Sequence, residues 1–502
     1  MLRFSPNPNL AHLIHWFEWE DAAFKKAREQ DKPVMLFLSA FWCRYCQRMD
    51  EGALSDRENM ALLNAYFVAL RVENATRPDI DARYNLNGWP TIAFFTPSGE
   101  LLAASNFLPV EEFKELLLNV YMDYQQRDAA SRVTGATVES ESPAVRAPEV
   151  ERSHATILNG ITNSIRELAD SVNGGYGRGQ KFIHAQATDF LFCRYEATKD
   201  RAYLDHACLT LDRMREGRIH DVAEGGYFRT TTGADWSQPH REKLLAEQAG
   251  MISNCLAALR FTGRGEYARM AGEIIDYLDR KLFDSSTGAF FGCEDFLRRE
   301  TAEAESAGEF FSIIDDCIYT DANALAAGAY LEAAALLDRA DCNERALNVI
   351  EFLWTRCRSA DQGMYHYYDG APSLPGRLDD QVLVGTALVQ AYRASANRKY
   401  LERARQLAEF VIARLKNPGG GYFDLGAAEV GFGRLRLTDM DQNGAAASFF
   451  LTLVEAAEAP KYHEAALWAL RAASGDAASY GIYAARLGRA LAELLSFARR
   501  GS

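Results

Sequence analysis

Val34-Met-Leu-Phe-Leu-Ser-Ala-Phe-Trp-Cys-Arg-Tyr-Cys-Gln-Arg-Met49 runs from an apolar stretch through a turn into two cysteines three positions apart. Val34 to Leu38 reads as a buried strand. The cysteines fall where a helix should begin. A helix N-terminus offers unpaired N–H groups and a partial positive charge, which favour a thiolate and lower its pKa. Cys43, at the helix start, is the expected nucleophile. Cys46, one turn further in, is the expected resolving thiol.

The downstream sequence extends this unit. Tyr66 to Val72 reads as a second strand. Gly88-Trp-Pro-Thr-Ile-Ala-Phe-Phe-Thr-Pro-Ser-Gly-Glu-Leu-Leu102 reads as a strand opened by Pro90, a turn at 97–99 and another strand. A proline opening a strand beside a dithiol is a candidate cis-proline. Residues 10–30 read as an entry helix and 110–124 as a closing helix. Strand, CxxC, helix, strand, helix, proline, strand and hairpin is the thioredoxin pattern. Trp42, Trp89 and Pro90 would face a client. Two other readings of the dithiol stay open: half of a zinc site, which needs two more ligands, or an inactive relic of the fold. Thioredoxins usually carry a buried Asp six residues before the first cysteine. Here that position is Phe37, so Cys46 lacks its usual proton-transfer helper.

The chain of 502 residues is long enough for several cores, and its formal charge is −14. That charge, with no basic stripe, argues against non-specific binding to nucleic acid or anionic membranes. No stretch approaches the length of a membrane-spanning helix. The N-terminal residues lack an apolar signal core. The expected location is cytoplasmic. The seven cysteines outside the motif are scattered and read as small buried hydrophobes.

Residues 125–150 are small, polar and weakly periodic, as a linker would be. They separate a domain at 1–124 from one at 151–502. The second domain reads as twelve helical segments, starting near 153, 184, 201, 243, 265, 320, 343, 379, 399, 441, 461 and 480. A glycine–aromatic turn recurs at Gly174-Gly-Tyr-Gly177, Gly225-Gly-Tyr-Phe228, Gly288-Ala-Phe-Phe291, Gly363-Met-Tyr-His366 and Gly420-Gly-Tyr-Phe423. Each turn follows an odd-numbered helix and precedes an even-numbered one. Outer helices alternating with inner ones, with the long loops at one end, satisfy this pattern. The expected fold is multidomain: an α/β thioredoxin-like domain followed by an all-α (α/α)6 toroid.

The inner-helix N-termini should meet at the loop end. His184, His240, Glu242, Asp316 and Asp380 gather there as acid/base or binding candidates, with Tyr227 and Trp236 as rings that could stack on a sugar. Aspartates at helix starts also serve simply as caps. No metal or cofactor is expected. The expected partner is a protein dithiol or disulfide, or a small carbohydrate.

Cys43-Arg-Tyr-Cys46, Arg77-Pro-Asp-Ile-Asp81 and Gly88-Trp-Pro90 resemble the spermatogenesis-associated protein 20 family and its bacterial homologues. Asn173-Gly-Gly-Tyr-Gly177 with Lys181-Phe182 looks like a second landmark of that family. Gly225-Gly-Tyr-Phe-Arg229 with Trp236, Pro239-His240 and Glu242-Lys243 looks like a third. The resemblance covers nearly the whole chain and implies a thioredoxin-like domain joined to a six-hairpin, glycosidase-like toroid. Arg44-Tyr45 stands where the family has His-Trp. An arginine there keeps its positive charge at every pH, whereas histidine titrates.

Overall fold

The computed structural model describes residues 2–127, 153–298, 310–426, 431–432, 436–473 and 476–500. Most of the expected linker at 125–150 lies outside the described residues. The chain forms two compact units, Met1–Pro148 with Ala427–Arg436, and Glu149–Gly426 with Leu437–Ser502.

The first unit is a five-stranded mixed sheet. Its strands are β1 (Trp16–Phe17), β2 (Val34–Ser39), β3 (Val68–Glu73), β4 (Thr91–Phe95) and β5 (Leu101–Ser105), in the order β1-β3-β2-β4-β5. β2 and β3 run parallel, and β4 and β5 are antiparallel to their neighbours. β2, β3 and β4 are buried along their whole length, which accounts for their unbroken apolar runs. The helices are α1 (Asp21–Gln30), α2 (Arg44–Glu51), α3 (Arg57–Tyr66), α4 (Pro78–Tyr84) and α5 (Val110–Gln126). The entry segment is not one helix. A single turn at Ala11–Leu13 precedes β1, and helix begins only at Asp21. Trp16 and Phe17 are used instead to pair with Ala69 and Leu70 at the sheet edge.

Among the described residues, the second unit contains twelve α-helices. The outer set is α6 (His154–Leu168), α8 (Arg201–Glu216), α10 (Gly265–Lys281), α12 (Ala340–Arg356), α14 (Arg398–Phe410) and α16 (Lys461–Leu470). The inner set is α7 (Ala185–Thr198), α9 (Leu245–Thr262), α11 (Thr320–Leu336), α13 (Leu378–Ser395), α15 (Met440–Ala457) and α17 (Ala485–Arg500). Each inner helix packs on the next, and α17 packs on α7, so the ring closes. Small residues permit this. A Cβ on Gly488 would lie 2.8 Å from the Phe190 ring, and one on Gly444 would lie 2.4 Å from the Leu487 backbone. The loop end is not purely irregular. It carries short antiparallel sheets, the longest strands being Cys293–Arg298, Phe310–Asp315, Gly363–Asp369 and Ala371–Pro375.

One device repeats around the ring. After four of the glycine turns, a side-chain amide from the next inner helix grips both backbone groups of one residue. Gln248 grips Tyr227, Asn323 grips Phe290, Gln381 grips Met364 and Asn443 grips Tyr422. The backbone N–H donates to the amide oxygen at 2.7–2.9 Å. The amide nitrogen donates back to the carbonyl at 2.6–3.2 Å. Each gripping residue is the fourth of its helix and is fully buried. A buried backbone group without a partner is costly, so these amides fix where each loop enters its helix.

Candidate functional site

Cys43 caps α2, and Cys43 and Cys46 form a disulfide. Cys43 Sγ accepts the Cys46 N–H at 3.1 Å. Both cysteines are buried, at 5% and 3% exposure, so Cys43 is only slightly the more open of the two. The Trp89–Pro90 peptide bond is cis. The Trp42 and Trp89 rings, both half-buried, meet edge to face with centroids 5.2 Å apart. Tyr45 is 51% exposed beside Phe107, with the Arg48 guanidinium over its ring. The dithiol thus sits at a strand end, under an aromatic rim.

The layer below the dithiol departs from the thioredoxin pattern in a defined way. Phe37 is fully buried. Opposite it in the sheet stands Arg71, which donates to both Asp50 oxygens at 2.7 and 2.8 Å. Asp50 lies on the dithiol helix itself. The Arg71 guanidinium also stacks over Phe4 at 4.5 Å and Phe37 at 4.9 Å.

In the toroid, the doubled acid at 379–380 is divided between two clusters. Asp380, fully buried, faces His366 and Arg377. His366 Nδ1 lies 3.1 Å from Asp380 Oδ1 and 2.9 Å from Arg377 Nη1. These are alternatives: a bare Nδ1 accepts from Arg377, and a protonated one donates to Asp380. Burial opposes charge on His366, and Arg377 adds to that, yet the Asp380 and Asp321 carboxylates together hold the imidazole above the usual histidine range. Burial also raises the Asp380 carboxyl. Asp321 completes this cluster, 3.9 Å from Arg377. Asp379 pairs with Arg486, which also holds Asp441 at 3.1 Å. Burial pushes Asp441 up to about 6, against Arg486 and with the like charges of Asp379 and Asp439.

Asp321, His366 and Asp380 place ligand-type atoms within 4.8 Å of one another. A metal is a poor fit there. The Arg377 guanidinium lies among them, near both carboxylates, and already supplies the positive charge.

The other sequence candidates are distributed as follows. His184 stands at the N-cap position of α7, without a side-chain capping bond, among Tyr176, Phe182 and Tyr483, and burial, helped by Lys181, lowers it to about 4. His240 is exposed on a two-residue strand. Glu242 is buried against Arg229 at 3.2 Å. Asp316 is exposed, while its neighbour Asp315 is buried and accepts the Tyr319 hydroxyl at 2.9 Å. Tyr227 and Trp236 are each 1% exposed. Trp236 covers Gly175, where a Cβ would lie 2.6 Å from its ring, and its indole N–H donates to the Asn173 carbonyl at 2.7 Å. Lys181 and Lys243, fully buried, clamp two glycine turns through Asp170 and Asp221, each at 2.8 Å.

Sequence reasoning missed Glu247, Asp321, His366, Arg377 and Arg486. Glu247 stands in the first turn of α9, and burial pushes it up to about 8 against Arg229, with Glu242 adding. His366 was visible only as the end of a glycine–aromatic turn.

Residues 7–140 match the Thioredox_DsbH family model, described as a protein of unknown function, DUF255. Human spermatogenesis-associated protein 20 is 28% identical over 318 residues, 59% of this chain and 40% of that one. Over that span the chain is similar to spermatogenesis-associated protein 20. Caenorhabditis elegans uncharacterized protein B0495.5 is 24% identical over 481 residues, 84% of this chain and 64% of that one. The chain therefore spans less than two thirds of either relative. Thiol:disulfide interchange protein DsbD 1 of Pseudomonas aeruginosa is 37% identical over 83 residues, 16% of this chain and 14% of that one. Among solved structures, cellobiose 2-epimerase from Spirochaeta thermophila has a TM-score of 0.54 at 15% identity, covering 71% of this chain and all of that one. D-mannose isomerase has a TM-score of 0.53 at 13% identity, covering 70% of this chain and all of that one. These two likenesses establish the toroid fold. The chain is a CxxC thioredoxin-like module followed by a largely helical toroid, and among the described residues no helix is long and apolar enough to cross a membrane.

Proposed function

We propose that the first unit is a thiol–disulfide exchange module acting on protein dithiols or disulfides. One observation carries this reading: Cys43 caps a helix N-terminus with Cys46 bonded to it, beside the Trp89–Pro90 loop. In the reducing direction the Cys43 thiolate attacks one client sulfur. A mixed disulfide forms and the first client thiolate leaves. Cys46 then attacks Cys43 Sγ and expels the second. Two electrons pass from the dithiol to the client, whose thiolates take up protons, and a dithiol reductant resets the pair. Trp42, Trp89 and Pro90 would contact the client. Similarity of this region to the Pseudomonas thiol:disulfide interchange protein supports the same reading. The test is exchange with a fluorescent cystine peptide: activity is expected from the native chain and none from Cys43→Ser. Equal rates from both would end the proposal. A cytoplasmic location belongs to this reading, supported by the scattered placement of the seven cysteines outside the motif.

A second reading concerns the toroid. Arg377, Asp380 and Asp321 stand at inner-helix N-termini, and buried His366 reaches them from the Gly363–Asp369 strand, an arrangement that acid/base chemistry on a carbohydrate could use. Saturable binding of a sugar from a broad panel, lost in His366→Ala, is expected. No binding by the native chain at millimolar concentration would remove this reading.

A further inference from the structure

Two stretches stand out in the first unit, Arg77-Pro-Asp-Ile-Asp81 and Gly88-Trp-Pro90, and the exchange step uses only the second. The structure joins them. Asp81, on α4, accepts the Trp89 indole N–H at 2.9 Å. It also accepts the Asn85 side-chain amide at 2.9 Å. Asn85 in turn accepts the Gly88 N–H at 2.7 Å. The Thr91 hydroxyl donates to the Gly88 carbonyl at 2.8 Å, and the Asn106 amide donates to that of Pro90 at 3.0 Å. Those bonds hold the loop backbone. The bond that sets the rotation of the indole is the one to Asp81. The indole so held then meets Trp42 edge to face at 78°. Trp42 adjoins Cys43, and Trp89 adjoins Pro90.

We propose that Asp81 is a positioning residue of the dithiol site: it fixes Trp89, and through it Trp42, as the wall a client segment lies against beside Cys43. The inference rests on the exchange reading. Asp81 touches neither sulfur, so its effect should appear in client binding and not in the electron transfer. Asp81 is partly buried, and that burial raises its carboxyl against the two N–H groups it accepts. Asparagine at this position keeps the acceptor oxygen that the indole and the Asn85 amide share.

The experiment compares the native chain with Asp81→Asn, Asp81→Ala and Trp89→Phe. Two readouts are taken: cystine-peptide exchange kinetics, and the Trp89 indole N–H resonance in NMR. Asp81→Ala is expected to raise KM about tenfold, with kcat and the reduction potential unchanged, the equivalent of losing one hydrogen bond to a charged group. Asp81→Asn should stay within about twofold of native. Trp89→Phe should raise KM similarly, and the double variant Asp81→Ala with Trp89→Phe should be no worse than either single one. The resonance should move in Asp81→Ala and hold in Asp81→Asn. An unmoved resonance in Asp81→Ala overturns the proposal whatever the kinetics, as does additivity in the double variant. Absence of exchange by the native chain would overturn the dithiol reading and, with it, the positioning role, while the resonance alone still reports whether Asp81 holds Trp89.

Discussion

Arg71 and Asp50 form a two-pronged ion pair that joins the sheet to the dithiol helix, at 5% and 1% exposure. Phe37 fills the place where a carboxylate would otherwise sit, and the charge in this layer is instead bound into the fold. Removing one partner leaves the other buried and unpaired. Asp50→Asn is expected to cost about 3 kcal/mol of stability. Urea unfolding checks this; a loss below about 1 kcal/mol would mean that Arg71 reaches water.

The amide clamps predict a second loss. Asn323→Leu keeps the γ-branched shape but orphans the Phe290 N–H and carbonyl, both held at about 2.9 Å. At roughly 1–3 kcal/mol per orphaned group, the expected cost is about 3 kcal/mol. Calorimetry of the variant measures it. A neutral substitution would show that water replaces the clamp.

These clamps also show where the sequence stops being readable. The glycine turns and the helix alternation were legible because each leaves a local signal: positive φ at Gly174, Gly225 or Gly363, and an apolar periodicity. The gripping amides leave none, since Gln248 or Asn443 in a helix looks like an ordinary surface residue. The CxxC and Pro90 were legible because the chemistry dictates their spacing. The charged clusters were half legible. Asp379-Asp380 drew notice as a pair, but its division depends on His366 and on Arg486, the latter 107 positions away. Tyr227 and Trp236 looked like rings for a cleft; their burial against turns and glycines is a tertiary fact.

Glu247 predicts a pH dependence. Its folded carboxyl titrates near 8, well above the ordinary value of 4.5. Between those values the folded chain holds a proton that the unfolded chain releases, so stability falls as pH rises through that window. Glu247→Gln should remove this decline. Urea unfolding at pH 5 and pH 8 should separate the two proteins by at least about 1 kcal/mol more at pH 8. Parallel curves would contradict the assignment.

Cys46→Ser removes the resolving thiol and leaves the nucleophile. It should accumulate a mixed disulfide between Cys43 and a cystine peptide, visible by mass spectrometry as one added client thiol. Cys43→Ser should accumulate far less. Equal trapping by both variants would reverse or abolish the assigned roles.

The central claim is that Cys43 and Cys46 are a working redox couple. A redox titration of the native chain, read by thiol-labelling mass spectrometry of these two residues, tests it most directly. A reversible two-electron transition between about −200 and −290 mV, the span of cytosolic exchange proteins, is expected. A pair that stays in one state across that span would contradict it and leave the dithiol a structural element of the fold.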